Sequence, residues 1–275
     1  MALALLLRAR ITRKELFRLE PQGMRAAAGA DAATGRAPGG YPVIDGPHYY
    51  DVLGELHAIL RPRWYLEIGT ARGYSLKRCP GDFVAIDPAF DLRVIPQTGW
   101  TTGHLRRQTS DDFFASGFLE AQGIVPEFGF LDGLHQFEAL LRDFMQFERR
   151  AAPGAVAILH DCLPFDHKME ERTWDTRKTQ NWTGDVWKAV VALLDHRPDL
   201  RIGVLDAWPT GLVVIEGLDP ASRALDAAYD AFVARMLPVR LRDYGVDAYF
   251  GRFAIAASHR YLDDMRRRRA DPNGS

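Results

Sequence analysis

Cysteine, long apolar runs and net charge are all scarce in this chain. Only Cys79 and Cys162 occur in 275 residues, far apart and without metal-type spacing. That excludes a disulfide framework and suits a reducing, cytoplasmic setting. No stretch approaches the roughly 20 apolar residues of a membrane span. The apolar start, Met1 to Leu7, is short, and its charges Arg8, Arg10, Arg13 and Lys14 follow it, whereas a secretory signal places them before. With 35 Lys and Arg against 36 Asp and Glu the net charge is −1, so neither nucleic acid nor an anionic membrane is expected as a partner. The one conspicuous basic run, Arg266 to Arg269, reads as a frayed, solvated tail. Also missing is the G-x-G-x-x-G fingerprint that seats a dinucleotide pyrophosphate on a helix N-terminus.

In its place stands E-x-G-x-x-x-G. The apolar strand Trp64 to Ile68 carries Glu67 and runs into a turn holding Gly69, Thr70 and Gly73. Glycine lets the backbone bend tightly and approach a ligand closely. A helix is expected after the turn, with Ser75 as its cap. Glu67 puts an acid where a pyrophosphate needs neutral or positive surroundings, so a cationic ligand fits better. The next apolar run, Phe83 to Ile86, ends in Asp87, placed to accept hydrogen bonds from two ribose hydroxyls.

At these residues the chain resembles the class I S-adenosylmethionine-dependent methyltransferases. The resemblance implies that Glu67, Gly69 and Gly73 line the methionine end of that cofactor and that Asp87 holds its ribose. Ser110 and Asp111, after the third strand, are expected near the adenine. The S-D-D stretch there also reads as a helix start.

Strands and helices alternate through the middle of the chain, which favours a parallel sheet. Strands are expected at 64–68, 83–87, 104–108, 127–132 and 155–160, with helices over 48–60, 135–150, 184–196 and 220–236. Two further apolar runs, 200–206 and 211–216, have too short a link for a crossover helix and must form an antiparallel hairpin. The expected class is therefore α/β: a Rossmann-like, mostly parallel seven-stranded sheet with a C-terminal antiparallel hairpin and helices on both faces. Residues 1–40 read as an amphipathic helix and a loose linker, 41–218 as the methyltransferase domain, and 219–275 as a helical extension. The N-terminal helix or the aromatic extension offers a contact for a second copy of the chain.

A second constellation falls at the ends of strands four and five, where open α/β sheets bind ligands. It comprises Asp132 and His135, in a D-G-x-H stretch, and the pair His160 and Asp161. This resembles the metal-dependent O-methyltransferases of the catechol type, especially those of macrolide sugars, the macrocin and mycinamicin enzymes. The resemblance implies that Asp132 and Asp161 are metal ligands, that Asp132 also lies beside the methyl donor, and that His135 is the general base. His160 departs from the pattern, which has a carboxylate there. As a third ligand, His160 would favour Mn²⁺, Fe²⁺ or Zn²⁺, with Mg²⁺ feasible where waters complete the shell. Plainer readings stand beside these: His160 and Asp161 as a buried pair, His135 as a cap, Asp132 as an acceptor for loop N–H groups.

The insertion 162–183 carries Phe165, Asp166, His167, Glu170, Glu171, Trp174 and Trp182 without apolar periodicity, and reads as a lid for a ring-bearing or sugar-like acceptor. Asp185 or Trp187, just beyond it, is placed to face the cleft, Trp187 fitting the core better. Methyl transfer to a hydroxyl of such a natural-product acceptor is the leading expectation. N-methylation without metal, a nicotinamide-dependent oxidoreductase and a non-catalytic methyltransferase-like protein are the alternatives.

Overall fold

Short apolar runs broken by glycine, proline and acidic residues become the strands of one sheet. A computed structural model describes residues 36–96, 99–175 and 181–270; the expected N-terminal helix and most of the linker lie outside them. The strands are β1 (Trp64–Ile68), β2 (Asp82–Ile86), β3 (Gly103–Arg106), β4 (Phe128–Leu131), β5 (Val156–His160), β6 (Arg201–Leu205), β7 (Leu212–Glu216) and β8 (Ile255–Ala256). Their order is β3-β2-β1-β4-β5-β7-β6-β8. β1 to β5 are mutually parallel, and β7 runs antiparallel to both β5 and β6, as the short link requires. Eight strands replace the expected seven. The extra one, β8, pairs parallel with β6 over two residues, too short a ladder to leave a period in the sequence.

Alternation along the strands divides the core into two layers. Leu66, Ile68, Leu131, Ala157 and Leu159 face the layer that holds helices Phe137–Glu148 and Trp187–His196. Tyr65, Phe128, Phe130, Val156 and Ile158 face helix Tyr49–Leu60 and residues Leu262 and Met265 of helix Ser258–Ala270. Burial of each Leu, Ile, Val, Phe or Met among them contributes roughly 1.5–3 kcal/mol. Trp187 is fully buried and belongs to this core.

Two expectations fail locally. After the glycine turn there is only a single 3₁₀ turn, Leu76–Arg78, and Ser75 makes no capping bond. Pro80 follows at once, and its ring disfavours a helical residue before it, so a full helix has no room. The Arg266–Arg269 run is no frayed tail. It lies in helix Ser258–Ala270, where Arg266 pairs with Glu55 and Asp263 and Arg268 grips Glu216 through two bonds of 3.0 Å. The aromatic segment before it turns back onto the domain, with the Tyr249 hydroxyl donating to the Cys162 carbonyl at 2.8 Å.

His57 sits on the inner face of helix Tyr49–Leu60 against Tyr65 and Phe128. It is 1% exposed, and neither ring nitrogen has a partner. Burial lowers its pKa to about 3. The folded state therefore binds fewer protons here than the unfolded chain. This contribution is intact above pH 6.5 and is lost toward pH 3, at about 1.4 kcal/mol per pH unit. His57→Leu is expected to raise Tm at neutral pH and to flatten its fall between pH 6.5 and 4. An unchanged acid slope in thermal melts would show that His57 does not set it.

Candidate functional site

The strand order reverses between β1 and β4, and the crevice at their carboxyl ends is where such sheets take ligands. Gly69 leaves β1 with φ +87, and a Cβ on it would stand 1.9 Å from the Asp132 carbonyl oxygen. The glycine is thus needed because the chain's own β4 end lies against the turn. At Gly73, φ is +80 and a Cβ would meet the Val94 carbonyl at 2.2 Å. Both close approaches are to the chain's own backbone.

Asp87 fixes the turn from β2. Its two oxygens accept from the backbone N–H groups of Ala71 and Ala89, each at 2.7 Å. Each oxygen keeps a second lone pair, so a diol can still bond there. Glu67 is fully buried, accepting from the Tyr65 hydroxyl at 2.7 Å and the Ser75 hydroxyl at 2.9 Å. Burial raises it to about 7, against the pull of those hydrogen bonds. Its place is behind the turn, which it braces, and Thr70 beside it is 2% exposed. Ser75 therefore serves Glu67 instead of a helix end.

After β3 the cap of helix Ser110–Ala115 is Thr109, whose hydroxyl oxygen accepts from the Asp112 N–H at 3.1 Å. Asp111 is held by Arg142 in a two-bond pair of 3.0 and 2.8 Å, which holds its pKa below the usual carboxylate range. The Ser110 hydroxyl bonds Asp143. Both residues named for the adenine are thus engaged within the protein. Gln108, just before them, carries a buried side-chain nitrogen without a partner, which no local signal in the sequence marks.

Asp132, His135 and Asp161 do converge. One ligand atom from each lies within 4.8 Å of the others, a spacing that lets a single cation reach all three at ordinary bond lengths of roughly 2.0–2.6 Å. His135 Nε2 stands 3.5 Å from Asp132 and 3.3 Å from Asp161. Its Nδ1 is 2.8 Å from the Trp182 carbonyl, an acceptor, so Nδ1 carries a proton. The Trp182 ring stacks on the imidazole at 4.6 Å, and Trp174 lies parallel to Trp182 at 6.1 Å. Burial opposes a charge on His135, but Asp161 and Asp132 outweigh it and raise the group to about 9. Burial likewise works against ionised Asp132, yet the two imidazoles hold it down at about 2. Asp161 is a non-glycine residue at φ +60, a conformation that persists where surrounding contacts enforce it.

His160 stands outside the three-residue cluster that could hold a metal. It is 6% exposed, with Nδ1 3.1 Å from Asp132 and Nε2 3.3 Å from the Thr210 hydroxyl. The ring of Tyr49 covers it at 4.2 Å. Thr210 and Tyr49 are additions that no local sequence signal places here. Both arrive because the hairpin link is tied to the helix start: Tyr49 donates to the Trp208 carbonyl at 3.0 Å and Trp208 to Pro47 at 2.9 Å. The described part of the insertion contains no helix or strand. It is pinned by Arg172, which pairs with Glu138 and Asp185, and by the Trp182 indole N–H on the Glu171 carbonyl. Asp185 accepts from the Phe137 N–H at 3.1 Å and caps that helix.

No protein-family model matches the chain, and no curated protein matches it in sequence. Among solved structures it is similar to an O-methyltransferase from Bacillus cereus in complex with SAH, at 17% identity over 64% of this chain and 84% of that one, TM-score 0.48. The O-methyltransferase TomG from Streptomyces achromogenes, involved in tomaymycin synthesis and solved with SAM, gives 18%, 65%, 83% and 0.45. The SAH-bound methyltransferase PaMTH1 from Podospora anserina gives 13%, 62%, 78% and 0.43. Among the described residues no helix is long and apolar enough to cross a membrane. With parallel β1 to β5 and a reversed β7, the chain has the mostly parallel α/β fold that the methyltransferase resemblance implies.

Proposed function

We propose that the chain is an S-adenosylmethionine-dependent O-methyltransferase that acts, with a divalent cation, on a hydroxyl of a ring-bearing, sugar-like or natural-product acceptor. The observation that carries this reading is the convergence of Asp132, His135 and Asp161 at the ends of β4 and β5, directly beside the Gly69 turn. An amine needs at most a base to take its proton, which the imidazole alone could supply, so a paired-carboxylate cation site has no task there. An alcohol needs its proton removed.

Each residue has a separate task. Asp87 receives the ribose hydroxyls, and Glu67 with Ser75 keeps the turn in shape from behind. Asp132 and Asp161 would hold Mn²⁺, Fe²⁺, Zn²⁺ or Mg²⁺, two carboxylates offsetting its charge. A divalent cation there supplies acidity, lowering the pKa of an alcohol oxygen bound to it. His135 presents Nε2 to the same point and accepts the proton, while its Nδ1–H on the Trp182 carbonyl fixes the ring. The two acids that raise His135 lose that hold once a dication shares them. Trp182 and Trp174 offer flat apolar faces for the acceptor ring, and the protein's remaining work is alignment of donor and acceptor.

Calorimetric titration separates this from a nicotinamide enzyme. S-adenosylhomocysteine is expected to bind the full chain and NAD is not. Binding of NAD with indifference to S-adenosylhomocysteine would overturn the reading.

A further inference from the structure

We infer that His160 and Thr210 form a bracket that sets the spacing of the Asp132 and Asp161 carboxylates for the cation; this rests on the cation site proposed above. The contacts run unbroken from one acid to the other. His160 Nδ1 faces Asp132 Oδ1 at 3.1 Å, its Nε2 faces Thr210 Oγ1 at 3.3 Å, and Thr210 Oγ1 donates to Asp161 Oδ1 at 2.5 Å. Proton bookkeeping fixes the directions. A carboxylate only accepts, so Nδ1–H and the Thr210 hydroxyl both give their protons to the acids, and Nε2–H donates to the remaining lone pairs of the threonine oxygen, the ring donating from both nitrogens.

Both members of the bracket are nearly out of reach of solvent, His160 at 6% and Thr210 at 2% exposure. Thr210 takes Asp161 by Oδ1 and leaves Oδ2 toward His135, while at Asp132 the two imidazoles meet the same Oδ1. Two acids that must stand close enough to share one ion repel each other before it arrives. Groups that hold them together in advance remove that part of the binding penalty. The bracket is itself anchored at both ends: Leu163 N–H donates to the Thr210 carbonyl at 2.9 Å, and Tyr49 stacks on His160. The φ of +60 at Asp161 is then explained as a backbone turned so that its carboxylate meets Thr210. The imidazole at position 160 thus serves as a positioning residue and not as a third ligand.

Mn²⁺ titrations of the full chain test this, with melting curves in parallel. Thr210→Val and His160→Gln are each expected to weaken Mn²⁺ binding by about 10- to 100-fold, the usual effect of losing an outer partner of a ligand, while Thr210→Ser stays within about threefold of the parent. The double variant Thr210→Val/His160→Gln should lose no more than the worse single one, since both break one chain of contacts. S-adenosylhomocysteine affinity should not move. If Thr210→Val fails to melt cooperatively, His160→Gln decides alone. Parent-like Mn²⁺ affinity in a folded single variant overturns the bracket. Absence of Mn²⁺ binding to the parent chain overturns the cation site itself, and the bracket with it.

Discussion

Replacing His135 by glutamine is expected to lower methyl transfer by about 10²- to 10⁴-fold, the usual range for a lost general base, with S-adenosylhomocysteine bound as tightly as before. Glutamine keeps a donor that can reach the Trp182 carbonyl but has no basic nitrogen to offer the acceptor. Because Nε2 lies 3.3 to 3.5 Å from both acids, removal of the imidazole also removes a positive charge from between them. Mn²⁺ should therefore still bind through Asp132 and Asp161. Complete loss of Mn²⁺ from His135→Gln would make the histidine a ligand and reassign the base. Retention of full turnover would remove it from the chemistry.

The second large effect is expected at Gly69. A methyl group there would stand 1.9 Å from the Asp132 carbonyl oxygen, on a backbone with φ +87. The left-handed conformation alone costs about 1–2 kcal/mol for alanine, and the clash can be relieved only by moving the β4 end. That end carries Asp132. Gly69→Ala is therefore expected to lower Tm by at least roughly 2–8 °C, taking about 2–4 °C per kcal/mol for a domain of this size, and to weaken both S-adenosylhomocysteine and Mn²⁺. A Gly69→Ala protein with parent stability and parent affinity for both ligands would show that the turn and the acid corner are not mechanically joined.

What the sequence made legible follows from how local each signal was. Apolar runs ending at Ile68, Ile86, Leu131 and His160 marked four parallel strands, because strand burial is written residue by residue. The four-residue link before Gly211 required a hairpin, because no crossover fits it. Asp132, His135 and Asp161 could be brought together in advance, since strand ends on one side of a parallel sheet share a crevice.

The misses were of another kind. The helix expected after Gly73 shrank to one 3₁₀ turn because Pro80 lies only seven residues on, a constraint visible in the sequence but outweighed by the glycine motif. β8 escaped notice because a two-residue ladder has no period. His160 was named as a third ligand from its place at the end of strand five; that its ring also meets Tyr49 and Thr210 had no local signal. Thr210 itself is 49 residues from Asp161 in sequence, and nothing near it signals that contact. The bond between Asp111 and Arg142, 31 residues away, likewise had no local signal.

The most direct measurement is a crystal grown with S-adenosylhomocysteine and Mn²⁺, read by anomalous scattering at the manganese edge. The account requires one peak between the Asp132 and Asp161 carboxylates, with the ribose on Asp87 and the sulfur turned toward that peak. Manganese elsewhere, or a nucleoside that leaves Asp87 and the Gly69 turn untouched, would contradict it.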